Sequence, residues 1–404
     1  MTKRLKILFL AHLFPLPLDS GGKIKSYYTL KALAAEHDVR VLAYVRSDDE
    51  LEHLSELESI CKVDLVRLNR SKFRQLYDLL RAITMGKSFI VSRDYRDDMR
   101  CAYDRIISDF QPDVVHIDHL QMAQFVDFGG SYKTVLDHHN VESMIIKRLA
   151  DTSESLPVRM YAGIEWPKLQ RYEMDICRRA STVLTVSDED KSTLTRLCSE
   201  LNNIVNVPIG VDVDYFQHIE RTEGSNNILS IGTMYWPPNI DSMLYFCRDI
   251  YPLVKAKMPE CTLTIAGQRP VESIKALASD PSVAVIGYVS DSRDLAKDCG
   301  AFIVPLRSGS GVRVKILNAL AMGLPVVSTS VGAEGLEVES GRHLMLADSP
   351  ADFADAVVKV LQDRELADSI GRSGRALVCK KYSWQVVGGR LLSVYGALAD
   401  GVRS

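Results

Sequence analysis

"PLRSGSGVRVKILNALAMGLPVVST", residues 305–329, passes from a small-residue loop into a helix and then into an apolar strand. Arg307-Ser308-Gly309-Ser310-Gly311 is too rich in Gly and Ser for a regular element. From Val314, the positions Leu317, Ala319, Leu320 and Ala321 read as a helix. Gly323-Leu324-Pro325 stops it, and Val326-Val327 opens a strand. The N–H groups of a helix's first turn lack intrahelical partners, and here Arg313 and Lys315 stand beside them. A diphosphate at that point would gain backbone N–H bonds from Gly311, Val312 and the helix start, and charge-assisted bonds from the two cations. The competing reading is a solvated helix with two surface charges.

A strand, a loop, a helix and a next strand form a βα unit, and the same unit recurs on both sides of this block. In the C-terminal half, residues 227–233, 261–267, 283–289, 300–306 and 325–329 are short, β-branched runs separated by helical stretches. In the N-terminal half, residues 6–12, 38–45, 62–68, 113–118, 133–139 and 181–187 read the same way. This alternation predicts an α/β fold with two doubly wound, Rossmann-like domains, each a parallel sheet covered on both faces. Residues 206–227 carry Pro208 and Gly210, then a polar run ending Gly-Ser-Asn-Asn. We place the domain boundary there: 1–212, then 213–382, with a last amphipathic helix at 383–404. Two such domains imply a cleft between them, and ligands bind at the carboxyl ends of the strands.

Composition narrows the function. The chain has 404 residues, 25% of them charged, and a formal net charge of -3, which argues against a general nucleic-acid binder. Its eight cysteines form no CxxC pair and no metal-ligand spacing, so reduced thiols in a cytoplasm are the simple reading. The start, "MTKRLKILFLAHLFPLPL", superficially resembles a signal peptide. Its uninterrupted apolar run is only Ile7 to Ala11, and no small-residue cleavage site follows, so a buried first strand is expected. No run approaches the ~18 apolar residues of a membrane-spanning helix.

Several loops after strands can carry chemistry. In residues 14–33, Gly21-Gly22 opens a helix, so backbone N–H groups can approach an anion, and Lys23 and Lys25 add charge. In "HIDHL" (116–120), alternation puts His116 and Asp118 on one face and His119 on the other; Asp118 or His119 can orient a sugar hydroxyl or relay a proton. "LDHHNVES" (136–143) offers His138, His139 and Asn140 as lining residues; without a well-placed carboxylate it is poor evidence for zinc, and no metal site is expected. Gly232 precedes Tyr235-Trp236-Pro237-Pro238, an aromatic lid or simple packing. Tyr288 and Val289 can hold a base through backbone groups.

Residues 67–93 carry seven Lys or Arg against one acid, Asp78, with Phe73, Leu76, Tyr77, Leu80 and Ile83 near helical spacing. The simpler reading is an amphipathic helix packed on its domain with its charges in water. The other is a peripheral contact with an anionic membrane or a charged acceptor.

The ordered set of these motifs resembles the family 4 glycosyltransferases, retaining enzymes of the GT-B fold. The resemblance spans nearly the full length and rests on the early Gly-Gly loop, "PDVVHIDHL", "TVLTVSDEDK", "NVPIGVDVDYF", "VIGYVSD", "FIVPLRSGSGVRVKILNALAMGLPVVSTSVGAEGL" and "HLMLADSPADFADAVVKVL". It implies a hexosyltransferase whose C-terminal domain binds a nucleotide-diphosphate-sugar and whose N-terminal domain binds a glycan or lipid-linked acceptor. The last helix would cross back onto the N-terminal domain. Neither metal nor other cofactor would be needed, and the anomeric configuration would be retained. The expected setting is cell-envelope polysaccharide synthesis in the cytoplasm, at most peripheral to the inner membrane face. On this reading Gly22, Gly232, Tyr288, Val289, Ser310, Gly311, Val312, Arg313, Lys315 and Asn318 bind donor. Lys25, His138, His139 and Asn140 bind sugar or acceptor, and Asp118 and His119 are catalytic.

The sequence departs from the family pattern twice. Many members have Glu at the positions of Ser310 and Asn318, contacting the donor sugar and the ribose. Many also have an Arg and a Lys soon after the first strand of the C-terminal domain, where Thr233 to Asn239 has no cation. We expect Arg313 and Lys315 to supply that missing charge. Two other readings share the fold: a GT-B-type sugar-nucleotide epimerase and a non-catalytic sugar-nucleotide-binding protein.

Overall fold

The structure is a computed structural model that describes residues 4–401 apart from 154, 290 and 309–310, and without the side chains of 72, 74–76, 83 and 400. The chain divides into two compact units, Met1–Pro208 with Gly388–Ser404, and Ile209–Val387. The break comes before residue 212 because Ile209 and Val211 pack into the second unit's core, where Val211 N–H bonds Tyr382 O at 2.8 Å.

The first unit is built on seven strands: β1 (Lys6–Ala11), β2 (Asp38–Val45), β3 (Lys62–Arg67), β4 (Val114–Asp118), β5 (Lys133–Asp137), β6 (Thr182–Thr185) and β7 (Ile204–Asn206). They pair in parallel in the order β3-β2-β1-β4-β5-β6-β7. Helices Gly21–Glu36, Lys72–Thr84, Phe89–Ser92, Glu142–Thr152 and Leu156–Arg179 are among those that connect them. β1 and β4 are buried on both faces (beyond Lys6), as the continuous apolar runs of a covered parallel sheet require. The basic-apolar start of the chain is thus a central strand.

The second unit has six parallel strands: β8 (Asn227–Ile231), β9 (Thr262–Ala266), β10 (Val283–Ile286), β11 (Ala301–Val304), β12 (Val326–Ser328) and β13 (Met345–Leu346). Their order is β10-β9-β8-β11-β12-β13. Helices Pro237–Tyr245 and Val314–Ala321 follow β8 and β11, respectively. Separate apolar clusters cover its two faces, one around Phe246 and Phe353 and the other around Phe302 and Leu320.

Both sheets are the doubly wound kind expected. β7 and β13 were not legible because edge strands of three and two residues carry no periodicity. The last helix, Trp384–Gly401, buries Val387, Leu391 and Tyr395, and from Gly388 on it belongs to the first unit. There Tyr395 OH lies 2.7 Å from His116 Nδ1. Among the described residues all eight cysteines are unpaired.

Candidate active site

In each sheet the strand order reverses direction once, between β1 and β4 and between β8 and β11. Loops leaving the carboxyl ends of such neighbours diverge to opposite faces and leave a crevice. Both groups of candidate residues sit at these two points.

In the first unit, register pairs Ala11 with Asp118 and Asp118 with Asp137, so three strand ends lie side by side. Asp118 is fully buried. It accepts hydrogen bonds from His139 Nε2 at 2.8 Å and from Ser26 Oγ at 2.7 Å, and His119 Nδ1 lies 3.4 Å away. Alternation put His119 on the face opposite Asp118. Instead His119 leaves the strand at φ 74°, ψ 144°, which brings its ring back over Asp118 and to 3.8 Å, centroid to centroid, from that of His139. A positive φ on a bulky side chain costs about 1–3 kcal/mol and persists only where the surroundings impose it.

The electrostatics separate the two imidazoles. Burial alone would raise the Asp118 carboxyl; the adjacent His119 and His139 outweigh it and hold that carboxyl well below its usual value. Burial would lower His119, but the Asp118 charge lifts it above its ordinary value. His139 is pushed down to about 4 by burial and by His119. With Asp118 ionised, His139 must donate through Nε2, which leaves Nδ1 as a buried acceptor without a partner among the described residues. His119 Nε2 and His139 Nδ1 both face Gly22: a Cβ there would lie 3.4 Å and 3.6 Å from them. The place beside Gly22 therefore offers an acceptor at His139 and, when His119 is protonated, a donor at His119, the complement of a single hydroxyl.

Three expected site residues have other roles. Lys25 is buried and its ammonium is in contact with Asp137, so an ion pair inside the unit holds it, not an acceptor. His138 turns into the core, where Nδ1 donates to Asn140 O at 3.0 Å and Nε2 lies 3.4 Å from Cys177 Sγ. Asn140 contributes that carbonyl. Gly22, expected in the donor site, groups with the two histidines. The histidine loop does have a carboxylate at hand, Asp118. Asp118, His119 and His139, or His116, Asp118 and Asp137, lie close enough to share a cation. Both Asp118 oxygens are already hydrogen-bonded, and Lys25 places an ammonium on Asp137. That donor set fits a proton network better than a metal.

In the second unit, Lys315 and Asn318 lie three residues apart on helix Val314–Ala321 and share a face. Lys315 Nζ donates to Asn239 Oδ1 at 3.0 Å, and Asn239 Nδ2 donates to Thr233 O at 3.0 Å. A Cβ on Gly232 would lie 3.3 Å from that ammonium. The loop after β8 thus has a cation beside it that comes from the helix after β11. Burial, then Arg313, pushes Lys315 down to about 7. Arg313 occupies the N-cap position, and its Nη1 donates to Gly311 O. Gly311 has φ 77°, and Val312 packs against the core around Leu320.

Gly232 supplies space rather than a donor, because its own N–H bonds Ala266 O at 3.0 Å. Tyr288 is exposed, with Val289 beside it half-buried. The half-buried Asn318 amide makes no hydrogen bond among the described residues. Ser310, with Gly309, lies outside the described residues. Arg307 is tied to Asp241 and lies 4.6 Å from the Tyr245 ring.

Sequence reasoning missed Asn239, Ser26 and Gly267. Gly267 sits at φ 158°, where a Cβ would lie 1.6 Å from Gly232 O, so only glycine lets these two loops touch. A Gly directly after a strand was the available signal.

Residues 225–363 match the family described as "Glycosyl transferases group 1". Over 368 residues the chain is 23% identical to an uncharacterized 44.6 kDa protein in the cps region of Klebsiella pneumoniae, covering 87% of this chain and 90% of that one. Over 156 residues it is 30% identical to a GDP-mannose-dependent monoacylated alpha-(1-6)-phosphatidylinositol monomannoside mannosyltransferase of Corynebacterium glutamicum, covering 35% and 41% of the two chains. Among solved structures, HepE of Anabaena in complex with UDP superposes with a TM-score of 0.69 at 12% identity, covering 97% of this chain and 100% of that one. At that identity the likeness is one of fold, and it extends over both units. The family match lies within the second unit, and the full-length likeness shows that the chain is built on the GT-B fold.

Proposed function

We propose that this enzyme transfers a sugar, with retention of anomeric configuration and without a metal, from a nucleotide-diphosphate-sugar to a saccharide or lipid-linked acceptor. The observation that carries the donor assignment is the Lys315 ammonium at the Gly232–Asn239 loop. It is a cation at a glycine-walled helix start, in the crevice of a doubly wound sheet. Lys315 and Arg313 neutralise the diphosphate, and this charge grows as the bond to the sugar breaks. Asn318 hydrogen-bonds the ribose hydroxyls. A fixed pair of cationic side chains makes a divalent ion unnecessary for holding the leaving group.

In the first unit, His119 and His139 hold one hydroxyl of the reacting sugars between a donor and an acceptor nitrogen, and Asp118 fixes both rings. The leaving phosphate takes the acceptor proton, because His139 is too weak a base to compete for it. The relatives described above support a cell-surface glycan or a glycolipid as the product class.

A thermal-shift panel of nucleotide-sugars tests this reading. A donor at 100 times its Kd should stabilise the protein by about 2.7 kcal/mol. The active donor, incubated with candidate acceptors in the presence of a chelator, should give a product with the donor's anomeric configuration by NMR. No response to any nucleotide-sugar would remove the reading. Inversion, or loss of activity on chelation, would remove the mechanism.

A further inference from the structure

One helix of the first unit, and the first half of another, expose an apolar stripe that an ordinary amphipathic helix would bury. In Lys72–Thr84 the apolar stripe points to water: Phe73, Tyr77 and Leu80 are 88%, 55% and 56% exposed, and Met85 just beyond is 54% exposed. The acid of that helix, Asp78, is buried, 3.6 Å from Arg96. The first half of Leu156–Arg179 does the same, whereas its second half buries Leu169, Met174, Ile176 and Cys177. Leu156, Met160 and Ile164, four residues apart on one stripe, are 57%, 61% and 63% exposed. Glu165 is buried, accepting from Ser88 Oγ at 2.5 Å and Ile90 N at 3.1 Å. A soluble surface rarely leaves two such stripes uncovered.

A cavity of about 470 Å³ lies between the segment that follows the first stripe and the second half of the other helix. Gly86, Lys87 and Ser88 on its wall follow Met85 directly. Lys168, Arg171 and Arg179, also on its wall, follow Ile164 along the same helix. Those four cations line it with no carboxylate among the lining residues; Asp175, outside the lining, lies 3.4 Å from Arg179. The Tyr172 hydroxyl, also on the wall, is buried without a hydrogen-bond partner among the described residues.

We propose that the first unit seats on an anionic phospholipid surface. The two apolar stripes enter the headgroup layer, and a lipid phosphate lodges among Lys87, Lys168, Arg171 and Arg179. The charge selects this occupant. A second copy of the chain docked about a twofold axis would set the four cations against their own counterparts. A bilayer with anionic headgroups meets both the apolar area and the positive charge. The proposal does not depend on the donor or acceptor assigned above, and donor binding measured on the same variants reports that reading separately.

The test is flotation of the full chain with vesicles of phosphatidylcholine alone, or of equal parts phosphatidylcholine and phosphatidylglycerol, at low and raised salt. The wild type should float with the anionic vesicles and less so as salt rises. F73S/L80S and M160S/I164S should each weaken binding by about tenfold or more, since partition scales with buried apolar area. K168A/R171A should lose the preference for phosphatidylglycerol. The substituted side chains at 73, 80, 160 and 164 are exposed, so these variants keep the fold. A wild type that stays in solution, or stripe variants that float as well as wild type, overturns the proposal. So does a wild-type dimer in sedimentation velocity that F73S/L80S converts to monomer.

Discussion

Lys315 makes donor binding a proton-linked event. Burial and Arg313 bring its ammonium down to about 7, so near neutral pH the empty site is only partly charged. A nucleotide-sugar brings two diphosphate charges that do not titrate in this range. They stabilise the protonated lysine and raise its pKa in the complex, so binding above pH 7 must take up a proton. With a free pKa near 7, uptake should be about 0.1 proton at pH 6 and about 0.9 at pH 8. Affinity should fall about tenfold per pH unit above 7 and flatten below it. Calorimetry in buffers of different ionisation enthalpy measures the uptake directly. A sugar nucleotide must be used rather than the free diphosphate, whose terminal phosphate titrates in the same range. Lys315→Met should abolish the uptake and weaken binding by about 1.5–3 kcal/mol, roughly 10- to 150-fold, the worth of one charge-assisted hydrogen bond. Lys315→Arg should bind with little pH dependence. Uptake in Lys315→Met equal to wild type, or a flat affinity from pH 6 to 8, would refute the assignment of this ammonium to the diphosphate.

Arg313→Ala should weaken nucleotide-sugar binding by about tenfold or more, read by calorimetry; unchanged affinity sinks its role. Gly22→Ala places a methyl 3.4 Å from His119 Nε2 and 3.6 Å from His139 Nδ1, ordinary contact distances. It should leave the melting temperature at or above wild type, because Ala favours the helix, while turnover falls by about tenfold or more. Full turnover would show that nothing binds between the two rings. Asp118→Ala and His119→Ala should lower kcat far more than donor affinity, and wild-type turnover in both would dismiss the histidine cluster as machinery. Lys25→Met removes the ammonium from the buried Asp137 charge and should cost about 3–5 kcal/mol in urea titration. Lys25→Met with Asp137→Leu should recover part of it. A single variant as stable as wild type would mean that the pair does not hold the unit.

Strand positions were legible because a covered parallel strand must be apolar on both faces, as "KILFLA" and "AFIV" are. The site was legible as far as strand ends dictate it: Asp118 ends β4, His139 follows β5, and Lys315 and Asn318 follow β11. What sequence does not carry is direction. The alternation that put His119 opposite Asp118 fails once φ turns positive. His138 and His139 are neighbours, yet one points into the core and the other at Asp118. The basic stretch shows the same limit. Its spacing marks a helix, and the simpler reading buried the apolar face, whereas Asp78 is inside and Phe73 outside. Amphipathicity defines two faces without saying which one meets the protein.

The bond from Tyr395 to His116 bears on how the molecule is made. His116 lies on β4 at the centre of the first sheet, and its Nε2 lies 3.6 Å from Asp137, the partner of Lys25. The hydroxyl that satisfies its other nitrogen is synthesised 279 residues later. During translation the first unit can collapse and pair its strands, but it holds a buried, unsatisfied imidazole until the whole second unit has been made. A nascent chain stalled before residue 395 should therefore be a loosely closed substrate for chaperones and proteases.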